Sequence, residues 1–120
     1  MASLGMEGPY VFTSEKIDEV VTRTSAGNYA LGYIKDDGKF VVEYVGRSDT
    51  DLKKELKERL TDKYKKFKYS YATSPKAAFE KECHNYHDFG ESKMLDNKYH
   101  PARPDGTNWK CPVAGCDILD

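Results

Sequence analysis

The sequence predicts an α+β fold, a small three-stranded antiparallel sheet flanked by helices and followed by an irregular C-terminal tail. Three observations predict it. Asp37-Gly38 lies between two strand-like runs and is a strong hairpin turn signal. Residues 67–71 alternate aromatic and polar side chains, which is the period of a third strand. Helix-start residues precede the amphipathic segments between and after these strands. The chain of 120 residues, 38% of them hydrophobic, suits one domain with a modest core.

The first half of the chain reads as a helix followed by a β-hairpin. Ser14 can cap a short helix. The apolar residues of this helix recur at helical spacing: Ile17, Val20 and Val21. Tyr29 to Lys35 is expected to be a strand, with Phe40 to Val45 as its partner across the turn. Residues 1–8 lack the basic-then-apolar pattern of a signal peptide, and residues 1–12 are expected to be a loose N-terminal segment.

The second half continues with a helix, a strand and another helix. One side of the first of these helices is expected to pack inward, because apolar residues recur every four positions at Leu52, Leu56, Leu60 and Tyr64. Phe67 to Tyr71 is the third strand. Ser74-Pro75 begins a helix that should run to about His87, with Pro75 at its first position. A three-stranded sheet covered by helices is the economical way to pack these elements.

The periodicity fades after Gly90. Residues that break regular structure then recur: Pro101, Pro104, Gly106, Pro112 and Gly115. Residues 98–120 are therefore expected to form an irregular tail, and something must hold it on the domain of residues 13–97.

Two tyrosine-glycine signatures bracket the predicted hairpin. Gly27-Asn28-Tyr29 leads into the first strand, which begins at Tyr29, and Tyr44-Val45-Gly46 lies at the end of the second. This arrangement can place two phenol groups near one end of the sheet. Phenols can donate, accept or give up a proton near a phosphate. Without the glycines, aromatic residues in strands are more typical of a core.

The strand-strand-helix-strand-helix order with these signatures resembles the GIY-YIG nuclease superfamily over roughly residues 27–97. Asn28 replaces the usual apolar residue of the first signature, and the separation of the signatures is a few residues longer than is typical. Gly32-Tyr33 would give the usual separation in a shifted register. Tyr29 is preferred because Tyr29 and Tyr44 lie about equally far from the centre of the turn.

The resemblance implies a divalent-metal-dependent endonuclease that acts on nucleic-acid phosphodiesters. Tyr29, or a water that it orients, would deprotonate the attacking water, with Tyr44 beside it. The arginine that steadies the phosphate in the family falls on Glu55 in this sequence. Arg59, one turn further along the same helix face, and Arg47 are the candidates for its role.

The resemblance also implies one metal-binding glutamate and one polar residue that closes the site. The spacing after Ala78 favours Glu82 over Glu80 as the ligand, and one carboxylate is enough for Mg²⁺ or Mn²⁺ that keeps several waters. Asn97 would close the site. An acidic Glu55 would repel a phosphate. A second interpretation therefore stays open, a catalytically inactive module of the same fold that binds nucleic acid or a protein partner.

A basic belt extends from Lys53 to Lys68. It holds eight lysines and arginines against three acidic residues, a local charge of +5, although the formal net charge of the chain is −1. Such a belt could contact the phosphates of nucleic acid, DNA rather than RNA, or be a solvated helix face. No apolar run is long enough to span a membrane.

Cysteine and histidine residues form a candidate zinc site. Cys83 and His87 are four residues apart on a predicted helix and hence on one face. Cys111 and Cys116 flank a tight turn in the tail. Together these residues make a Cys₃His set, which would also hold the irregular tail, since metal binding can replace missing core.

Alternatives to this zinc set remain open. His100 or His84 could replace His87. Without zinc, Cys111 and Cys116 could form a disulfide, or the tail could be unliganded beside one buried free cysteine. The chain has three cysteines, and this odd count argues against a secreted disulfide framework. A reducing, cytoplasmic location is expected.

Overall fold

The structure is a computed structural model that describes residues 4–116. Its elements are β1 (Glu7–Val11), α1 (Ser14–Val20), β2 (Gly27–Ile34), β3 (Phe40–Ser48), α2 (Leu52–Glu58), β4 (Lys66–Tyr71), α3 (Pro75–Asp88) and α4 (Glu91–Met94). The predicted α+β class is confirmed. The outermost parts of the predicted N-terminal segment and tail, residues 1–3 and 117–120, lie outside the described residues.

The strands form one antiparallel sheet in the order β1-β4-β2-β3. The three predicted strands are all present, but the prediction of a three-stranded sheet is wrong by one strand. The fourth, β1, lies in the segment expected to be loose and pairs along β4. Gly8 and Pro9 are unfavourable inside most strands, so the sequence around them does not predict β1. Pro9 is tolerated because β1 lies at the edge of the sheet. Long-range ring packing supports the strand, since the rings of Tyr10 and Phe67 lie 5.7 Å apart.

Helices cover both faces of the sheet. The larger core lies between the sheet and the α1–α2 face and contains Phe12, Ile17, Val21, Tyr29, Leu31, Leu52, Leu56, Phe67 and Tyr69. A smaller core lies on the other face and contains Leu4, Ala30, Val45, Tyr86 and Leu95. Successive residues of β2 alternate between these cores, as the two-residue period of a strand requires. Asn28 ties β2 to α3, because its side-chain amide donates to the carbonyl of Ala78 at 2.9 Å.

The helix α2 is shorter than the four-residue apolar repeat predicts. Asp51 caps its start by accepting from the backbone N–H of Lys54, but the helix ends at Glu58, before Leu60 and Tyr64. A long-range contact competes with the helix. The hydroxyl of Tyr64 donates to Asp96 at 2.8 Å, and Asp96 lies 32 residues further along the chain.

The other helix boundaries lie close to those expected. Ser74 caps α3 by accepting from the backbone N–H of Ala77, and α3 runs to Asp88. The cap of α1 is Thr13, which accepts from the N–H of Lys16, and Ser14 is the first helical residue. Among the described residues, no helix is long and apolar enough to cross a membrane.

The tail is irregular, as predicted, and residues 98–116 contain no helix or strand. It packs on α3 through Trp109, whose ring lies 6.2 Å from that of Phe79. Tyr99 points away from the domain and is 82% exposed. Cys111 is buried beside Phe79 and Cys83.

Candidate functional site

A concave pocket of about 240 Å³ lies where β2, β3, α2, α3 and the tail meet. Its lining residues are Tyr29, Tyr44, Gly46, Arg47, Asp49, Glu55, Arg59, Glu82 and Ala102. The structure thus brings together all the residues predicted for catalysis except Asn97. Glu55, which the resemblance puts at the position of the family's arginine, also lines the pocket, and the structure adds Asp49 and Ala102, which the sequence did not indicate.

The two signature motifs fit into each other at this pocket. Tyr29 lies opposite Gly46 in the β2–β3 register. A Cβ atom at Gly46 would overlap the ring and hydroxyl of Tyr29. The glycine of the second signature therefore makes the space for the phenol of the first. The rings of Tyr29 and Tyr44 are stacked with centroids 6.3 Å apart. Tyr33, the tyrosine of the alternative register, pairs with Val41 and is 41% exposed.

Glu55 connects two other lining residues of the pocket, Tyr29 and Arg59. The Tyr29 hydroxyl donates to its Oε2 at 3.0 Å, and the Nε–H of Arg59 donates to the same oxygen at 3.0 Å. Burial, followed by the charge of Glu55, raises the pKa of Tyr29. Burial also raises the pKa of Tyr44. Both phenols are therefore protonated at neutral pH.

Arg47 also lines the pocket, and its side chain is 12% exposed. Its Nη1 group donates to Glu82 at 2.6 Å, its Nε group to Asp49 at 2.8 Å and its Nη2 group to the carbonyl of Ala102 at 2.7 Å. The guanidinium also lies over the ring of Phe79, 5.3 Å from the centroid. One cation therefore links β3, α3 and the tail.

The pair of Glu82 and Arg47 is removed from water, and this changes both pKa values. Burial raises the pKa of Glu82 to about 7, although the charge of Arg47 opposes the shift. Burial lowers the pKa of Arg47, but its hydrogen bond to Asp49 and the charge of Glu82 outweigh burial and raise it. Glu82 therefore exchanges its proton near neutral pH, while Arg47 stays charged.

Asn97 lies outside the pocket and does not have the position that the resemblance implies. Its amide accepts from the N–H of Val45 at 3.0 Å and donates to the carbonyl of Val45 at 2.8 Å. The N–H of Asp96 donates to the carbonyl of Glu43 next to it. Asn97 thus covers the free edge of β3. Its polar side chain is needed there because the edge backbone would otherwise be buried without partners.

The basic belt is partly neutralised by acidic partners. Lys53 and Lys57 both lie near Asp18, at 3.5 and 2.7 Å. Lys63 pairs with Asp96 at 2.8 Å, and Arg59 pairs with Glu55. The belt is not one helix face, because it continues from α2 through a loop into β4.

A second cluster of ionisable side chains lies at the end of α3. Ligand atoms of His87, His100, Cys111 and Cys116 all lie within 4.8 Å of one another, so this cluster could hold a metal ion. We call it the His/Cys cluster. It differs from the predicted zinc set at one position, since His100 takes the place of Cys83.

Hydrogen bonds orient both imidazoles of the His/Cys cluster. The Nδ1 atom of His87 lies 2.6 Å from a carboxylate oxygen of Glu91, and the Nδ1 atom of His100 lies 2.8 Å from the carbonyl oxygen of Pro101. The Nε2 atom of His87 is buried and has no hydrogen-bond partner among the described residues. Burial lowers the pKa of His100, which favours the neutral imidazole.

The cysteines are all free thiols, so the alternative of a Cys111–Cys116 disulfide is not formed. Cys83 is fully buried in a small core with Phe79 and Cys111. Burial raises the pKa of the Cys83 thiol. The helical spacing predicts Cys83 and His87 on one face of α3, but Cys83 lies in this core and His87 lies in the His/Cys cluster.

Comparisons with known proteins give no further guide. No protein-family model, no curated protein and no solved structure matches this chain significantly. The functional conclusions therefore depend on the pocket and the His/Cys cluster themselves.

Proposed function

We propose that this chain is a divergent GIY-YIG-like domain that hydrolyses nucleic-acid phosphodiesters at the pocket with Mg²⁺ or Mn²⁺. One observation carries the proposal. Two phenols, two arginines and a buried carboxylate, far apart in the sequence, line a single pocket of about 240 Å³. These groups together can bind a phosphate, move a proton and hold a cation.

Arg59 is the better of the two arginines for binding the phosphate. Its side chain is 47% exposed, and its Nε–H is engaged by Glu55. The Nη groups of a guanidinium can then form paired hydrogen bonds to phosphate oxygens. The guanidinium carbon also lies 5.4 Å from the centroid of the Tyr44 ring, and this contact helps to hold the group in place. Arg47 is the weaker candidate because all three of its nitrogen groups already donate to protein oxygens.

Glu55 acquires a role in this proposal that the family pattern does not give it. The raised pKa of Tyr29 makes a free phenolate unfavourable at neutral pH. In the proposed step, the Tyr29 oxygen takes a proton from the attacking water while its own proton passes to Oε2 of Glu55. The hydroxide oxygen attacks phosphorus, the bond to the leaving oxygen breaks, and that oxygen takes a proton from solvent, to which Glu55 later releases the proton that it gained. The hydrogen bond of 3.0 Å between Tyr29 and Glu55 provides the path for this relay.

The carboxylates of Glu82 and Asp49 fit a divalent cation. Glu82 and Asp49 both direct an oxygen at the guanidinium of Arg47, so a positive charge is already bound between them. Mg²⁺ and Mn²⁺ prefer such oxygen ligands. When bound, the ion would supply Lewis-acid stabilisation of the leaving oxygen. Glu82 would be the main ligand, and Arg47 would neutralise the carboxylate in the absence of the ion.

The alternative function, a catalytically inactive module that binds nucleic acid or a protein, is favoured by one specific observation. Both arginines of the pocket are paired with carboxylates of the same chain, Arg47 with Glu82 and Arg59 with Glu55. A pocket that has lost catalysis would retain such internal pairs. In both functions, the basic belt is proposed to contact DNA in preference to RNA, in a salt-dependent manner because the contacts are to phosphates.

The His/Cys cluster has a separate place in the proposal. Thiolate and imidazole ligands select zinc over the harder Mg²⁺. We assign it a structural zinc ion, distinct from the ion of the pocket. Thiols that stay reduced for this purpose suit a cytoplasmic location.

Cleavage assays with the purified full chain test the proposal. Duplex, single-stranded and branched DNA, and RNA of the same sequences, are incubated with Mg²⁺ or Mn²⁺. We expect cleavage by the wild type, and a loss of about 10²–10⁴-fold in Tyr29→Phe, because a positioned proton-transfer group contributes that much. Glu82→Gln should be equally impaired. Tyr33→Phe is the matched control, since Tyr33 lies on the same strand outside the pocket.

The assay separates the two functions. Salt-dependent binding of DNA without cleavage under any condition would favour the binding module. Equal cleavage by the wild type and by Glu82→Gln would show that the activity does not reside in this pocket.

A further inference from the structure

Hydrogen bonds fix the two histidines of the His/Cys cluster in the tautomer that can bind a metal through Nε2. A carbonyl oxygen can only accept a hydrogen bond, so the proton of His100 lies on Nδ1 and the lone pair lies on Nε2. The carboxylate of Glu91 imposes the same tautomer on His87. Such outer hydrogen bonds are typical of zinc-binding histidines. The buried Nε2 atom of His87, without a partner among the described residues, marks the direction of the missing contact.

The distances within the cluster are close to those of a zinc site. Bonds of about 2.0–2.3 Å in a tetrahedron separate neighbouring ligand atoms by about 3.3–3.8 Å. Nε2 of His100 and Sγ of Cys116 already lie 3.4 Å apart, and no pair of the four exceeds 4.8 Å. Small side-chain movements are therefore enough to close the site.

We infer that one zinc ion fastens residues 100–116 to the end of α3 and thereby holds the carbonyl of Ala102 on Arg47 in the pocket. This inference rests on the zinc assignment proposed above. The ligands are Nε2 of His87, Nε2 of His100 and the thiolates of Cys111 and Cys116, whose two protons leave when the ion binds. Cys83 stays a thiol in the core.

The tail requires such a fastening because it buries little apolar surface. In residues 98–116, only Pro101 and Cys111 are buried. Ordering each residue costs about 1–2 kcal/mol of backbone entropy, and the tail has few contacts that offset this cost. Three of the four zinc ligands lie in the tail, so one ion fixes it at three points.

The fastening reaches the pocket through a very short segment. Ala102 lies two residues after the ligand His100, and its carbonyl accepts from Nη2 of Arg47 at 2.7 Å. Loss of zinc would release this carbonyl. Arg47 would keep its partners on Glu82 and Asp49, while its Nη2 group would become available to a phosphate. Zinc therefore sets both the shape of one wall and the donor capacity of the pocket.

Metal analysis of variants tests the ligand set. We expect about one zinc per chain in the wild type, as for a closed four-ligand site, and loss of zinc in His100→Ala and Cys116→Ser. Two matched controls should retain it. Cys83→Ala removes the core thiol next to the set, and His84→Ala removes an exposed histidine of the same helix. Retention of zinc by His100→Ala with loss in Cys83→Ala would overturn the ligand set.

Chelation of zinc from the wild-type chain tests the connection to the pocket without any mutation. Trp109 is the one tryptophan of the chain and packs on Phe79, so its fluorescence should shift to the red. The Nε–H NMR signal of Arg47, assigned by its absence in Arg47→Lys, should move at the same time. Re-addition of zinc should reverse both changes.

These readouts do not depend on cleavage, so they test the inference independently of the nuclease proposal. A chain that binds no zinc would overturn the zinc assignment and the inference together. Zinc release with an unchanged Arg47 signal would overturn the inference and leave the zinc assignment intact.

Discussion

The pocket and the His/Cys cluster satisfy their polar groups in opposite ways. In the pocket, every cation has a carboxylate of the same chain, Arg47 on Glu82 and Arg59 on Glu55. In the cluster, the buried Nε2 atom of His87 has no partner among residues 4–116. The pocket is therefore complete as a folded structure without an ion, whereas the cluster is not.

The difference follows from the secondary structure that carries each region. The side chains of the pocket lie on β2, β3, α2 and α3 or next to them, where the cores hold them in place, and Ala102 is the one lining residue that the tail contributes. The cluster joins α3 to a tail without regular structure. An ion bound in the pocket should therefore change the chemistry there, whereas an ion bound in the His/Cys cluster should change the stability of the tail.

The largest effect is expected on removal of zinc. With free zinc at about 1,000 times its dissociation constant, binding stabilises the folded state by about 4 kcal/mol. Denaturant unfolding with and without a zinc chelator should show this difference in the free energy of unfolding. In Cys116→Ser the difference should vanish, and its persistence there would mean that zinc binds elsewhere.

The second effect concerns the pH dependence of stability. The pKa of Glu82 is raised from 4.5 to about 7, so between these values the folded chain holds a proton that the unfolded chain has lost. The stabilising contribution is thus fully present below pH 4.5 and is lost as the pH rises through about 7. Relative to Glu82→Gln, the wild type should lose up to about 3 kcal/mol across this window, since each pKa unit is worth about 1.4 kcal/mol. Parallel stability curves for the two proteins would contradict the raised pKa.

The third effect is steric. Gly46→Ala should displace the Tyr29 ring and destabilise the fold by about 1–3 kcal/mol, the usual cost of overpacking. Thermal unfolding measures the loss. In a Tyr29→Ala background the same substitution should cost much less, because the overlap is gone. Equal costs in both backgrounds would show that the two residues do not compete for this space.

The smallest effect is expected for the phenol hydrogen bond. Tyr29→Phe removes the donor to Glu55 and should cost about 1.5 kcal/mol of stability, the lower end of the range for a hydrogen bond to a charged group, because Glu55 keeps its bond to Arg59. Tyr33→Phe, at an exposed position, should stay within about 0.5 kcal/mol of the wild type. Similar losses of stability in both variants would argue against the hydrogen bond between Tyr29 and Glu55.

Local signals in the sequence were sufficient for much of the fold. Asp37-Gly38 specifies the hairpin and Ser74-Pro75 specifies the start of α3, because turns and caps depend on neighbouring residues. The strand β1 and the early end of α2 depend on contacts across the chain. Tyr64, for example, leaves the helical pattern to bind Asp96. No short-range pattern contains such information.

In the candidate site too, the sequence predicts the residues that local signals position and misses those that depend on contacts across the chain. Tyr29 and Tyr44 could be placed together because both lie on one hairpin. The contribution of Ala102 could not be foreseen, since a backbone carbonyl of an irregular tail leaves no mark in the sequence. His100 was identified only as an alternative ligand because it also lies in the irregular tail, whose path the sequence does not predict. Which of Cys83 and His100 joins the cluster depends on the path of the tail.

X-ray diffraction from crystals of the full chain soaked in Mn²⁺, with anomalous data collected on both sides of the zinc edge, tests the contrast most directly. The account predicts a zinc peak among the four donor atoms of the His/Cys cluster, with Ala102 on Arg47. It predicts a separate manganese peak at Glu82 in the pocket. An ordered tail without a zinc peak, or manganese absent from the pocket at saturating concentration, would contradict the account.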